Sequence, residues 1–431
     1  MSKKQAILII HGIGEQRPMD TLRRFVQSVW ERDEHIHHDF ATYGLFSKPD
    51  NISENFDLRR LTTTQNKNEV RTDFFEFYWA HLMEGNKMSH ILTWAKRLIL
   101  TSPWKIPKPL RGVWFLVVFM LIAILAINLW FFTQSGTSSF LKWVGPIFTL
   151  LIIPFVVSNL EDYVGDAARY LDDAPKNIKS RYEIRKQGIN ILKKLHESNK
   201  YDRIIVVGHS LGSVIAYDLL SYAWPLFNDK IPKTTSISSL DELDEMIRLD
   251  KFNIDDFQKQ QRKTFEEQKK LRPKWLVSDL ITLGSPLTYA DYLLAKSTEE
   301  FNQKKAQREF PTCPPVLDNK LRKKTGDKEG KKSIAYNIPS SDFIKLHHAA
   351  VFGLTRWTNI YAPSSCLIFG DIISGPLSKL FGRGVKDISA KIKINRGRFA
   401  HTKYWTMDKD SQKNEHIAKL REALNLLDDT K

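Results

Sequence analysis

Arg203–Ser213 reads RIIVVGHSLGS, and its reading decides the fold. Ile204 to Val207 are four consecutive β-branched apolar residues, the pattern of a strand buried on both faces in a parallel sheet. The run ends abruptly in Gly208-His209-Ser210-Leu211-Gly212, after which Val214, Ile215, Leu219 and Leu220 share one face of a helix. A Ser with Gly two positions away on each side, set between strand and helix, predicts a sharp and strained turn. Side chains at Gly208 and Gly212 would collide there with neighbouring backbone. Such a turn pushes Ser210 Oγ into the open at a helix N-terminus, whose amides face developing negative charge. Ser210 is the candidate nucleophile, and the Leu211 N–H a candidate donor to an oxyanion. A bare GxSxG arises often by chance; the buried strand and the apolar helix face around it give it weight.

A second loop of the same kind lies near the N-terminus. Ala6 to Ile10 reads as a short buried strand that ends in His11-Gly12-Ile13-Gly14-Glu15-Gln16. A Gly-rich loop after an early strand lets a backbone N–H point at an acyl oxygen, and the Ile13 N–H is the candidate for it. Lys3-Lys4 before this run does not make a signal peptide, because five apolar residues are too few for its hydrophobic region. Thr21 to Trp30 reads as a helix with Leu22, Phe25, Val26 and Val29 on one face, and Phe74, Phe75, Phe77 and Tyr78 fall in another strand. Ser180 to Leu195 reads as the helix feeding the Ser210 strand, and Leu280 to Leu283 as the next strand, closed by Gly284-Ser285-Pro286. Ser285 has a Pro directly behind it, a loop signature that makes it a poor rival to Ser210. Trp224 to Trp275 is a charged insertion, open to reading as a lid or as a solvated excursion, with a capping-box start at Ser239-Leu240-Asp241-Glu242. Asn319 to Lys332 reads as an exposed loop.

A nucleophilic Ser needs a base and an orienting acid, which in this arrangement follow in the order Ser, acid, His. Trp357 to Tyr361 reads as a strand, and Asp371 is the first acidic residue after it; Asp342 and Asp387 are the alternatives. Ile388 to Ile394 reads as the last strand. His401, the one His between that stretch and the C-terminal helix, is the candidate base.

The 431 residues carry 65 Lys and Arg against 49 Asp and Glu, a net charge of +16, which favours anionic partners such as nucleic acid or acidic lipid. Cys313 and Cys366 are the two cysteines, with no CxxC spacing, which argues against a disulfide scaffold and a zinc ribbon. Val113 to Phe132, VWFLVVFMLIAILAINLWFF, is uncharged and predicts a transmembrane helix; Trp143 to Val157 predicts the return leg of a hairpin. Lys96, Arg97, Lys105, Lys108 and Arg111 before the first leg place that flank in the cytoplasm by the positive-inside bias. Asp33, Glu34, His35, His37, His38 and Asp39 stand on adjacent positions, a spacing unsuited to a rigid metal site, and His347-His348 reads as a structural pair. No dinucleotide or phosphate-loop fingerprint and no nucleic-acid patch appears, so neither cofactor, metal nor nucleic acid is expected.

The blocks AILIIHGIGEQ, FEFYWA, VGDAARYLDD, RIIVVGHSLGSVIAYDLL, DLITLGSPLTYADYLLAKS, EFPTCPP, RWTNIYAP, GDIISGPL and HTKYW together resemble a family of bacterial membrane-anchored α/β-hydrolases of largely unassigned substrate. More distantly, HG and GHSLG resemble the lipases and esterases. The resemblance implies the α/β-hydrolase fold, a mostly parallel sheet flanked by helices, and Ser210, Asp371 and His401 as a triad. The resulting expectation is a hydrolase domain built from residues 1–110 and 161–431, with insertion 224–275, interrupted by a hairpin at 111–160. The enzyme would sit on the cytoplasmic face of the inner membrane, with the bilayer as partner, and cleave an ester of a lipid or acyl-lipid. A small soluble ester, thioester or amide, or a non-catalytic membrane scaffold, is the alternative.

Overall fold

The computed structural model describes residues 3–12, 17–37, 44–83, 102–105, 108–133, 170, 175–233, 235, 237–271, 275–319, 322, 329–364, 369–397 and 400–429. The apolar runs of the sequence form the middle of an eight-stranded sheet. Its strands are β1 (Lys4–Ile10), β2 (Leu45–Pro49), β3 (Arg59–Thr63), β4 (Arg71–Phe77), β5 (Arg203–His209), β7 (Val277–Leu283), β10 (Arg356–Tyr361) and β11 (Val385–Ser389). They lie in the order β2-β3-β4-β1-β5-β7-β10-β11. From β4 to β11 every pairing is parallel, whereas β2 and β3 add an antiparallel edge. The central strands carry apolar side chains on both faces because helices cover both, and every residue of β5 and of β7 is buried. Three short strands, β6 (Ile231–Pro232), β8 (Ala335–Asn337) and β9 (Phe343–Leu346), form a separate antiparallel sheet.

The register sets the site. Ile10 at the end of β1 stands opposite Gly208, and His209 at the end of β5 stands opposite Leu283. Three strands therefore end together at the edge where a parallel α/β sheet presents its loops.

By internal contacts the chain divides into two units. One comprises Met1–Gly12, Arg17–Tyr78 and Glu183–Lys431, and holds both sheets; the other comprises Ile13–Gln16 and Trp79–Tyr182. In the second unit the first apolar run is a helix, Lys108–Thr133, of 26 residues, with Phe115, Phe119, Ile122, Leu129 and Trp130 exposed. Among the described residues no helix is long and apolar enough to cross a membrane. This overturns the transmembrane hairpin expected at 111–160, and with it the inner-membrane location and the bilayer as partner. The expected return leg, Trp143 to Val157, lies outside the described residues.

Three other expectations need correction. The helix Asp20–Val26 does not run on regularly to Trp30 but widens into a π-turn over Gln27–Glu31. The last strand is β11, Val385–Ser389, rather than Ile388 to Ile394. Its ladder continues to Ala390, whose N–H bonds Tyr361 O, and a 3-10 turn occupies Ile394–Gly397. The insertion 224–275 holds two helices, Ser238–Leu249 and Ile254–Lys269, and the first has no capping box. Glu267 of the second helix instead accepts from the Ser239 N–H at 2.8 Å and from the Ser239 hydroxyl. The second helix buries Phe257, Gln261 and Phe265, and Gln258 and Gln261 donate to Trp357 O and Phe352 O. One face of the insertion is thus a layer of the sheet's core.

The opposite, N-terminal end of β5 is closed by charge. The buried Arg203 guanidinium lies 3.1 Å from Asp428 Oδ1, and donates to Gln5 Oε1 at 2.8 Å and to Asn425 O at 2.6 Å. Arg262 meets the same Asp428 oxygen at 2.7 Å. Burial pulls the pKa of Arg203 down to about 10, against the opposing effect of Asp428 and Asp279. Burial would raise the Asp428 carboxyl, but Arg203, Arg262 and Lys3 outweigh it and hold it below the usual range. A carboxyl depressed in the folded state stabilises above its unfolded pKa of about 3.9, and that contribution is lost as pH falls through the folded value. Asp428→Ala removes the carboxylate that two buried guanidiniums share, leaving Arg262 its contact with Glu266 at 2.6 Å and Arg203 only the more distant Asp279 at 3.9 Å, and is expected to cost about 3 kcal/mol at neutral pH. The check is urea unfolding at several pH values, where the gap between wild type and variant should begin to narrow below about pH 4 and narrow further as pH falls through the depressed folded value.

Candidate functional site

The turn after β5 is built from close approaches. A Cβ on Gly212 would lie 2.2 Å from Ile10 O and 2.4 Å from His11 O, and one on Gly208 would lie 2.5 Å from Ser213 Cα. No side chain fits at either position, so the helix Leu211–Phe227 can begin directly against the end of β1. Ser210 between them has φ 51° and ψ −127°, a conformation that costs a non-Gly residue of order 1–3 kcal/mol. The strain is held by the Ser210 N–H, which donates to Leu283 O at 2.9 Å, and by the Ser210 carbonyl, which accepts from the Ser213 N–H at 3.0 Å. Contrary to the expected open hydroxyl, Ser210 is only 4% exposed.

The Ser210 hydroxyl lies 2.8 Å from His401 Nε2, and His401 Nδ1 lies 3.0 Å from Asp371 Oδ2. An ionised carboxylate only accepts, so the imidazole proton sits on Nδ1 and Nε2 is left as the acceptor facing Ser210. Asp371 enters from the loop after β10 and is buried. Its Oδ1 accepts from the Ile373 N–H at 3.0 Å, while its Oδ2 also accepts from the Tyr404 hydroxyl at 2.8 Å. Burial would raise this carboxyl, yet the His401 imidazole and the hydrogen bonds of His401 and Tyr404 hold it below the ordinary carboxylate range. Burial, followed by the nearby Asp371 charge, pushes the Tyr404 phenol far upward, so it stays protonated as a donor. With its one proton given to Asp371, the Tyr404 oxygen accepts from the Ala362 N–H at 3.0 Å and from the Ser374 hydroxyl at 3.1 Å.

The loops carrying Asp371 and His401 are tied to each other as well. Gly370 N–H donates to Gly397 O at 2.9 Å and Ala400 N–H to Gly370 O at 3.2 Å. Gly370 has φ 84°, and a Cβ there would lie 2.0 Å from Pro363 O.

Of the sequence candidates, Ser210, His401 and Asp371 are brought into one hydrogen-bonded chain. The Leu211 N–H opens the helix and belongs to the first-turn amides that have no carbonyl partner within it. Ile13 lies outside the described residues. The alternative carboxylates are elsewhere: Asp387, on β11, accepts from the Asn359 side chain and the Leu377 and Ser378 amides, and Asp342 adjoins β9. Ser285 is fully buried, bonded by the Ser213 hydroxyl at 2.7 Å and the Leu287 N–H at 3.2 Å. His347 bonds Val316 O at 2.8 Å through Nε2 and accepts from the Ala349 N–H through Nδ1, and burial lowers its pKa to about 4. Among the described residues no group of three or more His, Cys, Asp or Glu is placed to hold a metal ion. Tyr404 and His209 are site residues that the sequence reading did not single out. Tyr404 follows His401 by three positions within HTKYW, but nothing in that spacing says that its hydroxyl reaches Asp371.

No family model matches the chain, and neither a curated protein nor a solved structure matches it. The resemblance to membrane-anchored α/β-hydrolases is overturned by the described helices, none of which can cross a membrane. What stands is an α/β fold with a central, mostly parallel sheet.

Tyr404→Phe removes one oxygen and leaves the Ala362 N–H and the Ser374 hydroxyl without their acceptor. An unsatisfied buried polar group costs about 1–3 kcal/mol, and the urea midpoint should fall accordingly with the far-UV spectrum unchanged.

Proposed function

We propose that this protein is a serine hydrolase that cleaves a small ester, thioester or amide by acyl transfer. The observation that supports it is the unbroken chain from Ser210 Oγ through His401 to the buried Asp371, at 2.8 and 3.0 Å, with the Ser on a strained turn at a helix N-terminus. These are the relations that nucleophilic catalysis by a hydroxyl requires. In this reading His401 Nε2 takes the Ser210 proton as Oγ bonds to the substrate carbonyl carbon. The resulting oxyanion faces the Leu211 N–H and the positive end of the helix dipole. Collapse of the tetrahedral species expels the leaving group, which takes the proton from His401, and the acyl group stays on Ser210. Water then repeats the sequence, giving its proton to His401 and releasing the acid. Asp371 remains ionised throughout. It fixes the imidazole with Nδ1 protonated and stabilises the imidazolium of each half-reaction.

Ser210→Ala should abolish covalent labelling by a fluorophosphonate probe and hydrolysis of p-nitrophenyl acetate, with the thermal unfolding profile retained. Labelling that persists on another residue of the variant would sink the assignment. Asp371→Asn should keep the shape of the site yet lower kcat by about 10⁴-fold, since an amide favours the wrong imidazole tautomer. Near-wild-type turnover in Asp371→Asn, measured with the same ester, would show that another group orients His401.

A further inference from the structure

His209, the residue before the nucleophile, takes no part in the reaction written above, yet its ring is built into the site. Its Nε2 lies 2.7 Å from the main-chain oxygen of His401. A carbonyl only accepts, so His209 carries its proton on Nε2 and donates. The ring lies 5.1 Å from the His401 ring, centroid to centroid, and meets Trp405 edge-on at 4.7 Å. Nδ1 is buried, has no hydrogen-bond partner, and would lie 3.0 Å from a Cβ on Gly12. Burial, reinforced by the neighbouring His401, lowers the pKa of His209 to about 3. A ring beside a group that becomes imidazolium is best neutral, because a second positive charge there would oppose the proton transfer.

His401 sits on a 3-10 turn, Ala400–Thr402, at the end of a long connection from β11. The bond from Nδ1 to Asp371 orients the ring, and Ala400 N–H on Gly370 O holds the residue before it, but both ties run to the Asp371 loop and neither reaches the strand that carries Ser210. We infer that His209 is a positioning residue for the base. Its Nε2–H pins the His401 carbonyl to the end of β5, so that the strand carrying the nucleophile also fixes the distance from His401 Nε2 to Ser210 Oγ. The single motif GHS would thus hold both partners of the proton transfer. This role rests on the hydrolase reading of the site.

Three side chains at position 209 separate hydrogen bond from packing. His209→Phe keeps a ring without a donor, His209→Gln presents an amide N–H at the reach of Nε2, and His209→Met supplies a donor-free side chain should the Phe variant not fold. For p-nitrophenyl acetate, kcat in the Phe or Met variant is expected to fall on the order of 10- to 100-fold with KM changed by less than about 3-fold, the pattern of lost alignment rather than lost binding. His209→Gln is expected to recover kcat to within about 3-fold of wild type. Wild-type kcat in a folded Phe or Met variant would overturn the inference. So would a Gln variant as slow as the Phe variant, since the bond would then not be what matters. If wild-type protein showed no labelling at Ser210 with the fluorophosphonate probe, the hydrolase reading itself would fail and take this role with it. A labelled wild type with unaffected 209 variants would remove the positioning role alone.

Discussion

Much of this protein follows from how closely the start of one helix approaches the ends of two strands. At Gly212 the backbone passes so near the Ile10 and His11 carbonyls that even a methyl group is excluded. A helix can therefore begin immediately at the edge of β5, with no intervening loop. Ser210 absorbs the change of direction at φ 51°. Such a conformation persists only where the surroundings over-determine it. Here β1 and β7 flank β5 in parallel register, and Leu283 O captures the Ser210 N–H. The close packing of the sheet core is what holds the strained residue in place.

Asp371 and His401 come from the other half of the sheet and are held by a different physics. Asp371 is a carboxylate in a nearly dry environment, a costly arrangement unless its oxygens are satisfied. Three donors meet them: the His401 imidazole, the Tyr404 hydroxyl and the Ile373 amide. Tyr404 is the pivot, since its one oxygen also accepts from Ala362 and from Ser374, and its ring lies where a Cβ on Gly284 would stand, 2.7 Å away. Three loops meet at that phenol: the one after β7, the one after β10 and the one that carries Tyr404 itself. A buried network of this kind rigidifies when every member is satisfied and fails when one is not.

The apolar run before residue 133 shows where composition stops being informative. Its helical character is legible in the sequence, and the helix Lys108–Thr133 is there. Where such a helix sits is not written in its own composition, because an apolar run favours any apolar surrounding alike. The high positive charge has the same ambiguity: it raises affinity for anions in general without choosing one.

What the sequence by itself determined is local. The strand Arg203–His209, the turn at Ser210 and the helix behind it were legible because each depends on spacing and side-chain size within about a dozen residues, and the β1 strand was legible for the same reason. For the partners of Ser210, chain order reduced the choices to His401 and one of three carboxylates. The rest was decided by tertiary structure, since residues 210, 371 and 401 meet only after strands distant in the chain align, and no local pattern encodes that register. The same is true of Tyr404 and His209, whose hydrogen bonds span 33 and 192 residues. It also explains Glu267 in place of a capping box at Ser239, and the insertion that became a layer of the core rather than an excursion from it. In each case a side chain found its partner across space, where a sequence read along its length has no distance to measure.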